Sequence, residues 1–138
     1  TAELSSSTAS VEYDWLTEQG QIILGNMGYD IRKHGVFSGR WTLEQSGRIV
    51  AEAHKPSAMF RSFEIDCHDA HFTVRAESAL TRAFEIVLDE RVIGYIRPMH
   101  AFTRRASIQC AGSIPELMQL FSFWLVGLTW RRSASSNS

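Results

Sequence analysis

The sequence predicts a mainly β fold: a closed antiparallel β-barrel wrapped around one hydrophobic C-terminal α-helix at residues 114–130. Two observations lead to this prediction. Most of the chain before that helix consists of short segments in which apolar and polar residues alternate, separated by turn-forming residues, which is typical of β-strands joined by tight turns. The segment 114–130 has the length of a helix, and its apolar residues lie on every side of a helical wheel.

The alternation predicts roughly eight to ten strands. Residues 11–18 fit either a short helical turn or an entry strand, and the sequence leaves this open. In the segment 36–43, Gly39 and Trp41 suit a strand with a bulge or a bend. A hairpin is predicted at 45–48, because Gly47 accepts the positive φ that tight turns require. The predicted strands are 21–24, 29–32, 36–43, 48–53, 61–67, 71–76, 82–88, 91–96 and 105–110.

The helix itself decides between a sandwich and a barrel. Ser113 is a suitable N-cap, Pro115 fits the first turn, and Glu116 lies near the positive end of the helix dipole. A helix that is apolar on every side must be buried on every side. A closed barrel buries the whole helix, whereas a sandwich leaves one side of it exposed to solvent. As a membrane anchor, 17 residues would span only about 25 Å, short of the bilayer core of about 30 Å. No transmembrane insertion is therefore expected, although a tail-anchored protein remains an alternative.

Composition and charge limit the possible classes of function. The 138 residues suit a single domain at 11–132, flanked by small and polar segments at 1–10 and 133–138 that we expect to be disordered. The formal net charge of −1 gives no general attraction to nucleic acid, which is not expected as a partner. The two cysteines, Cys67 and Cys110, are too few for a disulfide scaffold. No signal peptide is found, so we expect a cytoplasmic protein that can associate peripherally with a membrane.

Several short motifs resemble the tubby-like superfamily, which includes tubby C-terminal domains, phospholipid scramblases and the plant LURP-one-related proteins. They are the segments 29–33, 39–43, 47–51, 84–88 and 92–96, together with the end of the helix at 130–132. The resemblance implies a barrel threaded by a hydrophobic C-terminal helix, in a small member of bacterial type. The tubby C-terminal signature and an obvious calcium loop are missing. Phosphoinositide binding and lipid scrambling therefore do not transfer residue by residue.

No catalytic constellation is found, and we expect a protein that is not an enzyme and needs no cofactor. Serines lie in tails and turns, and neither cysteine has a histidine placed by a recognisable motif. The segment 66–71 is rich in metal-binding residue types, and His68 and His71, with Asp69, are weak candidates for zinc ligands. On a strand these side chains point in different directions, which favours a polar hairpin turn with no metal site.

The basic residues are the best functional candidates. One group comprises Arg32, Lys33 and Arg40, and a second pair is Arg104 and Arg105. On a barrel they could converge into a cationic surface for a phosphorylated headgroup, with an ordinary charged surface as the alternative. We therefore expect a binding module whose partner is a lipid headgroup at a membrane surface or another protein. Aromatic side chains could contribute to that surface (Trp15, Tyr95 and Phe102). A carrier of a small apolar ligand inside the barrel is the other alternative.

Overall fold

The chain forms one long antiparallel sheet and one C-terminal helix. The computed structural model describes residues 2–4, 7–35, 39–56, 61–68, 70–78, 82–98, 106–110 and 114–136. The strands are β1 (Ala2–Leu4), β2 (Ser7–Asp14), β3 (Gln19–Leu24), β4 (Met27–Lys33), β5 (Arg40–Gln45), β6 (Arg48–His54), β7 (Ser62–Cys67), β8 (Ala70–Ala76), β9 (Phe84–Leu88), β10 (Arg91–Pro98) and β11 (Ala106–Cys110). The helix α1 follows at Glu116–Ser136.

The sheet is open, and the prediction of a closed barrel is wrong in this respect. The 11 strands formed by the described residues are hydrogen-bonded in chain order from β1 to β11, each antiparallel to the next. Within the described residues no pairing joins β1 to β11. Because the number of strands is odd, these two edge strands run in the same direction, so an antiparallel ladder cannot close the sheet between them. The prediction of a mainly β chain with one C-terminal helix is confirmed.

Turn chemistry explains why consecutive strands pair. Between β5 and β6 the two turn residues, Ser46 and Gly47, have φ values of 51° and 81°. Two consecutive positive φ values are typical of the tight hairpin turns whose twist matches the flanking strands, which confirms the predicted hairpin. The bulge of this hairpin lies between Leu43 and Glu44, further along the strand than predicted.

The helix is buried over most of its surface, but not on every side as its sequence predicts: the partly exposed positions Gln119, Phe123, Gly127 and Trp130 recur along one face. It begins at Glu116 and extends beyond residue 130 to Ser136, into the segment predicted to be a disordered tail. Two polar residues in its buried part bond within the helix: the hydroxyl of Ser122 donates to the carbonyl of Met118 (2.8 Å), and that of Thr129 to the carbonyl of Leu125 (3.2 Å). The open sheet therefore covers most of the helix and leaves one face of it partly exposed. The buried apolar helix residues are Met118, Leu120, Phe121, Trp124, Leu125, Val126 and Leu128.

The inner face of the sheet supplies the other half of the core. Alternate residues of β7 and β8 point inward, so that Phe63, Ile65, Phe72 and Val74 are buried, as the alternation predicts. The segment 1–10, expected to be disordered, contributes β1 and the beginning of β2, although its only described buried apolar side chain is that of Ala9. Among the described residues, no helix is both long and apolar enough to cross a membrane.

Candidate functional site

The predicted cationic residues lie on two different surfaces. Arg32 and Arg40 are on the outer face of the sheet, where Arg32 approaches Glu44 (3.8 Å) and Arg40 pairs with Glu52 (2.5 Å). Arg104 and Arg105 lie outside the described residues.

Lys33 has a different environment, because successive residues of a strand face opposite sides of the sheet. Its side chain is only 12% exposed, and its Nζ lies 2.6 Å from a carboxylate oxygen of Glu18. The residues described from the predicted patch therefore do not converge, and only Lys33 belongs to the surface described next.

One end of the molecule, the long-loop end, gathers several basic and aromatic side chains. The antiparallel order places at this end the last residues of β2, β4, β6, β8 and β10. The helix also reaches it, because Trp130 donates its indole N–H to the carbonyl of Arg82 (2.7 Å) just before β9. Residues that are far apart in sequence thus meet here.

The turn between β2 and β3 projects apolar side chains from the long-loop end. The carboxylate of Asp14 accepts hydrogen bonds from the backbone N–H groups of Leu16 (3.1 Å) and Thr17 (3.4 Å), which is the local bonding of an Asx-turn. Leu16 is 97% exposed and Trp15 43% exposed. An isolated exposed leucine is common, but an aromatic and an aliphatic side chain at one turn form a small apolar projection.

Glu18 holds this turn against the helix. Its carboxylate accepts two hydrogen bonds from the Arg132 guanidinium (2.6 and 2.7 Å) and one from Lys33 Nζ (2.6 Å), and its backbone carbonyl accepts the indole N–H of Trp41 (3.0 Å). The Arg132 hydrogen bond, with a smaller contribution from Lys33, lowers the pKa of Glu18 to about 2 against the opposing effect of burial. We call Glu18, Arg132 and Lys33 the Glu18 clasp.

An aromatic column runs from the same turn into the core. The Arg131 guanidinium lies 5.6 Å from the Trp15 ring centroid, Trp15 stacks on Tyr13 at 4.1 Å, and Tyr13 stacks on Trp124 at 5.0 Å. The Tyr13 hydroxyl donates to the helix carbonyl of Trp124 (3.0 Å), and burial raises the pKa of Tyr13. Gly127 permits this approach, because a Cβ at that position would collide with the Tyr13 hydroxyl. The column fixes the position of Trp15 relative to the helix.

The charge around the projection is positive. Lys33, Lys55, Arg131 and Arg132 contribute four cations, and two carboxylates lie among them: Glu18 in the clasp, and Asp14 in the projecting turn itself. Burial and the nearby Arg132 charge both lower the pKa of Lys55. A surface cavity of about 590 Å³ opens beside Lys33 and is lined by the projecting turn. We call Trp15, Leu16, Lys33, Lys55, Arg131 and Arg132 the basic tip.

The histidine-rich hairpin contains an ion pair. His71 Nδ1 lies 2.6 Å from a carboxylate oxygen of Asp66, and its Nε2 lies 3.6 Å from Glu64. The hydrogen bond to Asp66 is the main reason that the pKa of His71 is raised. His68 is exposed and Asp69 lies outside the described residues. In the part of the chain that the structure describes, no three metal-binding side chains converge.

A buried polar network on the outer sheet face was not anticipated from the sequence. The hydroxyl of Thr42 donates to Glu44 (2.6 Å) and lies 2.6 Å from Nε2 of His34, with Glu44 only 8% exposed. Such a combination suggests nucleophilic catalysis, but the side chain of Thr42 is fully buried and its proton is directed to the carboxylate. The geometry is that of a structural hydrogen-bond network. The only sequence indication was that Thr42 and Glu44 alternate on one face of β5.

No protein-family model matches this chain, and comparisons with curated proteins and with solved structures found no match either. Nothing in these comparisons identifies the tubby-like superfamily. The functional interpretation therefore depends on the geometry of the chain's own residues.

Proposed function

We propose that this chain is a non-enzymatic binding module that attaches reversibly to an anionic phospholipid surface through the basic tip. The single observation that carries the proposal is the fully exposed Leu16, 97% accessible, at a turn contacted by Lys33, Arg131 and Arg132. Apolar residues that project beside lysine and arginine can enter the lipid interface while the charges contact phosphate groups. The same cations can bind the phosphate of a phosphorylated headgroup.

The expected affinity is modest. Each cation that contacts an anionic leaflet contributes about 1 kcal/mol. Insertion of Leu16 adds about 2 kcal/mol, the usual gain for burying an aliphatic side chain. Together these contributions correspond to reversible, salt-sensitive attachment.

We also propose that the fold follows the tubby-like plan. A sheet of 11 antiparallel strands curled around a buried C-terminal helix supports the resemblance. The open edge of the sheet departs from the closed barrel that the plan implies. The proposal concerns architecture, and the binding surface is argued from the basic tip alone.

The two alternative functions have less support. A carrier would need space inside the sheet, yet the helix and large fully buried side chains such as Trp41, Phe63 and Trp124 occupy that interior. A tail anchor would need the helix to be accessible to lipid. Its apolar residues are instead packed against the sheet, and Phe121 and Trp124 have no exposed surface.

Vesicle co-sedimentation tests the proposal. The protein is mixed with vesicles of phosphatidylcholine alone, or with phosphatidylglycerol added, at low and high salt. We expect binding only to the anionic vesicles, reduced at least tenfold by high salt because the contacts are electrostatic. The variants Leu16→Glu and Arg131→Glu should each weaken binding, by about tenfold or more.

Matched controls come from the opposite end of the molecule. Ile49→Glu places the same charge on an aliphatic residue that is 51% exposed, and Arg91→Glu reverses an exposed arginine at the β9–β10 turn. Both should bind nearly as the wild type does. Equal loss in tip and control variants would indicate a non-specific charge effect, and absence of binding to anionic vesicles would overturn the proposal and favour a protein partner.

A further inference from the structure

Two lysines of the basic tip lie on the inner side of the sheet rim. Lys33 and Lys55 each lie two residues beyond a buried apolar side chain, Ile31 and Ala53 respectively, so both continue an inward-facing row. The ladder extends as far as Lys55, because its backbone N–H donates to the carbonyl of Gly39 (2.6 Å). The two lysine side chains therefore lie on the same side of the sheet as the helix.

The indole ring of Trp41 fixes the cations that gather there. The ring is fully buried, and its N–H donates to the backbone carbonyl of Glu18 (3.0 Å). Lys33 Nζ lies 5.6 Å from the ring centroid, and the guanidinium carbon of Arg132 lies 5.7 Å from it. The positive charge of Arg132 also acts on Lys55, which places a third cation in the same group. A ring face attracts cations without neutralising them, so the group is a preformed positive site. We call Lys33, Lys55 and Arg132 the rim cluster.

The Glu18 carboxylate shows how an anion fits the rim cluster. Its Oε2 accepts the Nε–H of Arg132 (2.7 Å), and its Oε1 accepts an N–H of the same guanidinium (2.6 Å) as well as Lys33 Nζ (2.6 Å). This is the two-oxygen arrangement in which arginine binds carboxylates and phosphates. A carboxylate has only two oxygens for the three cations, so one oxygen serves donors from two residues.

A phosphate monoester matches the rim cluster better than a carboxylate or a phosphodiester does. A monoester has three terminal oxygens and carries about 1.5 to 2 negative charges near pH 7. A diester, like a carboxylate, offers two such oxygens and a single negative charge. The surface cavity of about 590 Å³ is lined by Glu18, Lys33 and the projecting turn, so a phosphorylated group has space to approach. Each of the three cations can then contact an oxygen of its own.

We propose that the rim cluster is a binding site for a phosphate monoester, and that the Glu18 carboxylate occupies this site in the free protein. The inference rests on the proposed function, since it specifies the headgroup chemistry that the same surface recognises. When the monoester enters, the Glu18 side chain, which is 20% exposed, turns toward the cavity and solvent. The monoester belongs either to a lipid headgroup or to a free phosphorylated molecule, and the experiment distinguishes these sources.

Vesicle co-sedimentation with two anionic lipids tests the inference. Phosphatidic acid presents a phosphate monoester and phosphatidylglycerol a diester, and each is mixed with phosphatidylcholine to equal surface charge. We expect the wild type to bind phosphatidic acid about fivefold tighter or more, because one additional charge contact changes affinity by about that factor. Titration calorimetry with glycerol 3-phosphate distinguishes the sources. Binding assigns the site to a free phosphorylated molecule, whereas no binding together with a preference for phosphatidic acid assigns it to the lipid headgroup.

Two adjacent arginines provide a matched pair of variants for locating the site. Arg132→Gln should reduce the preference for phosphatidic acid to less than about twofold, whereas Arg131→Gln removes the same charge outside the rim cluster and should weaken binding to both lipids alike. Glu18→Gln should tighten binding to phosphatidic acid by about fivefold and to phosphatidylglycerol by less, because the competing carboxylate is gone. Asp14→Asn is its control. It removes the same charge and keeps a side-chain oxygen for the turn, so the preference should stay at the wild-type value.

Thermal melting confirms that each variant is folded, and the gain expected for Glu18→Gln cannot arise from unfolding. Equal binding of the wild type to the two lipids, with no binding of glycerol 3-phosphate, would overturn the inference and leave the proposed function standing. An equal loss of the preference in Arg131→Gln and Arg132→Gln would do the same. Absence of binding to both lipids would overturn the proposed function, and if glycerol 3-phosphate also fails to bind, the inference is overturned with it.

Discussion

The Glu18 clasp gives a prediction for stability, because it joins the β2–β3 turn to the helix over a separation of 114 residues. The substitution Glu18→Gln removes the charge that Arg132 and Lys33 share and leaves the backbone bond to Trp41 possible. The fall in the pKa of Glu18 from 4.5 to about 2 sets an upper limit of about 3.5 kcal/mol, at about 1.4 kcal/mol per pKa unit. Since the Arg132 side chain is 41% exposed, solvent screening reduces this, and we expect a loss of about 1–2 kcal/mol at pH 7.

The pH dependence of this loss has a definite sign. The folded-state pKa of Glu18 is depressed, so its stabilisation is fully present above the unfolded value of 4.5 and is lost as the pH falls through the folded value of about 2. The stability difference between wild type and Glu18→Gln should therefore be constant from pH 7 to about pH 5.5. More than half of it should be gone by about pH 3.

Urea unfolding at several pH values measures this difference directly. Glu90→Gln is a matched control, because Glu90 also lies in a turn with a positive φ, 65° against 56° for Glu18. The control should change stability by less than about 0.5 kcal/mol. Equal stability of wild type and Glu18→Gln at pH 7, or a difference that persists unchanged to pH 3, would refute the assignment of the clasp as the source of the lowered pKa.

The remaining predictions concern the aromatic column. Tyr13→Phe keeps the ring stack but loses the hydrogen bond to the Trp124 carbonyl, so the free energy of unfolding in urea should fall by about 1 kcal/mol. An unchanged value would show that the hydroxyl contributes no net stability. Gly127→Ala should cost about 1–3 kcal/mol, because the added Cβ meets the Tyr13 hydroxyl. In a Tyr13→Phe background the same substitution should cost less, which a double-mutant cycle measures, and additive costs would contradict the collision.

The sequence predicts the strands whose inner and outer faces differ clearly in polarity. Phe63 and Ile65 alternate with polar residues, and the structure buries both. The sequence predicts the helix equally clearly, because a segment that is apolar on every side is stable only in the core. By contrast, the strand β2 has few large apolar residues at its beginning. The strand β2 forms because it pairs with β3, and the composition of β2 does not indicate this pairing.

Sheet closure and the site were less predictable, for a common physical reason. Alternation determines which face a side chain occupies but not the strand number or the register, and these decide whether a sheet closes. Adjacent basic residues such as Arg32 and Lys33 therefore form a patch in sequence but point to opposite sides of the sheet. The contact between Glu18 and Arg132 has no local sequence pattern, because it depends on how far the helix rises relative to the strands.

That rise explains why the basic tip forms at the rim. From Glu116 to Arg132 the helix climbs about 24 Å at 1.5 Å per residue, and an eight-residue strand such as β2 is about 26 Å long. The helix thus reaches the strand ends as its sequence changes from apolar to basic at Arg131. A helix one turn shorter would leave these arginines inside the sheet without water or a partner, at a high desolvation cost. The helix length that fills the core therefore also places Arg131 and Arg132 beside the projecting turn.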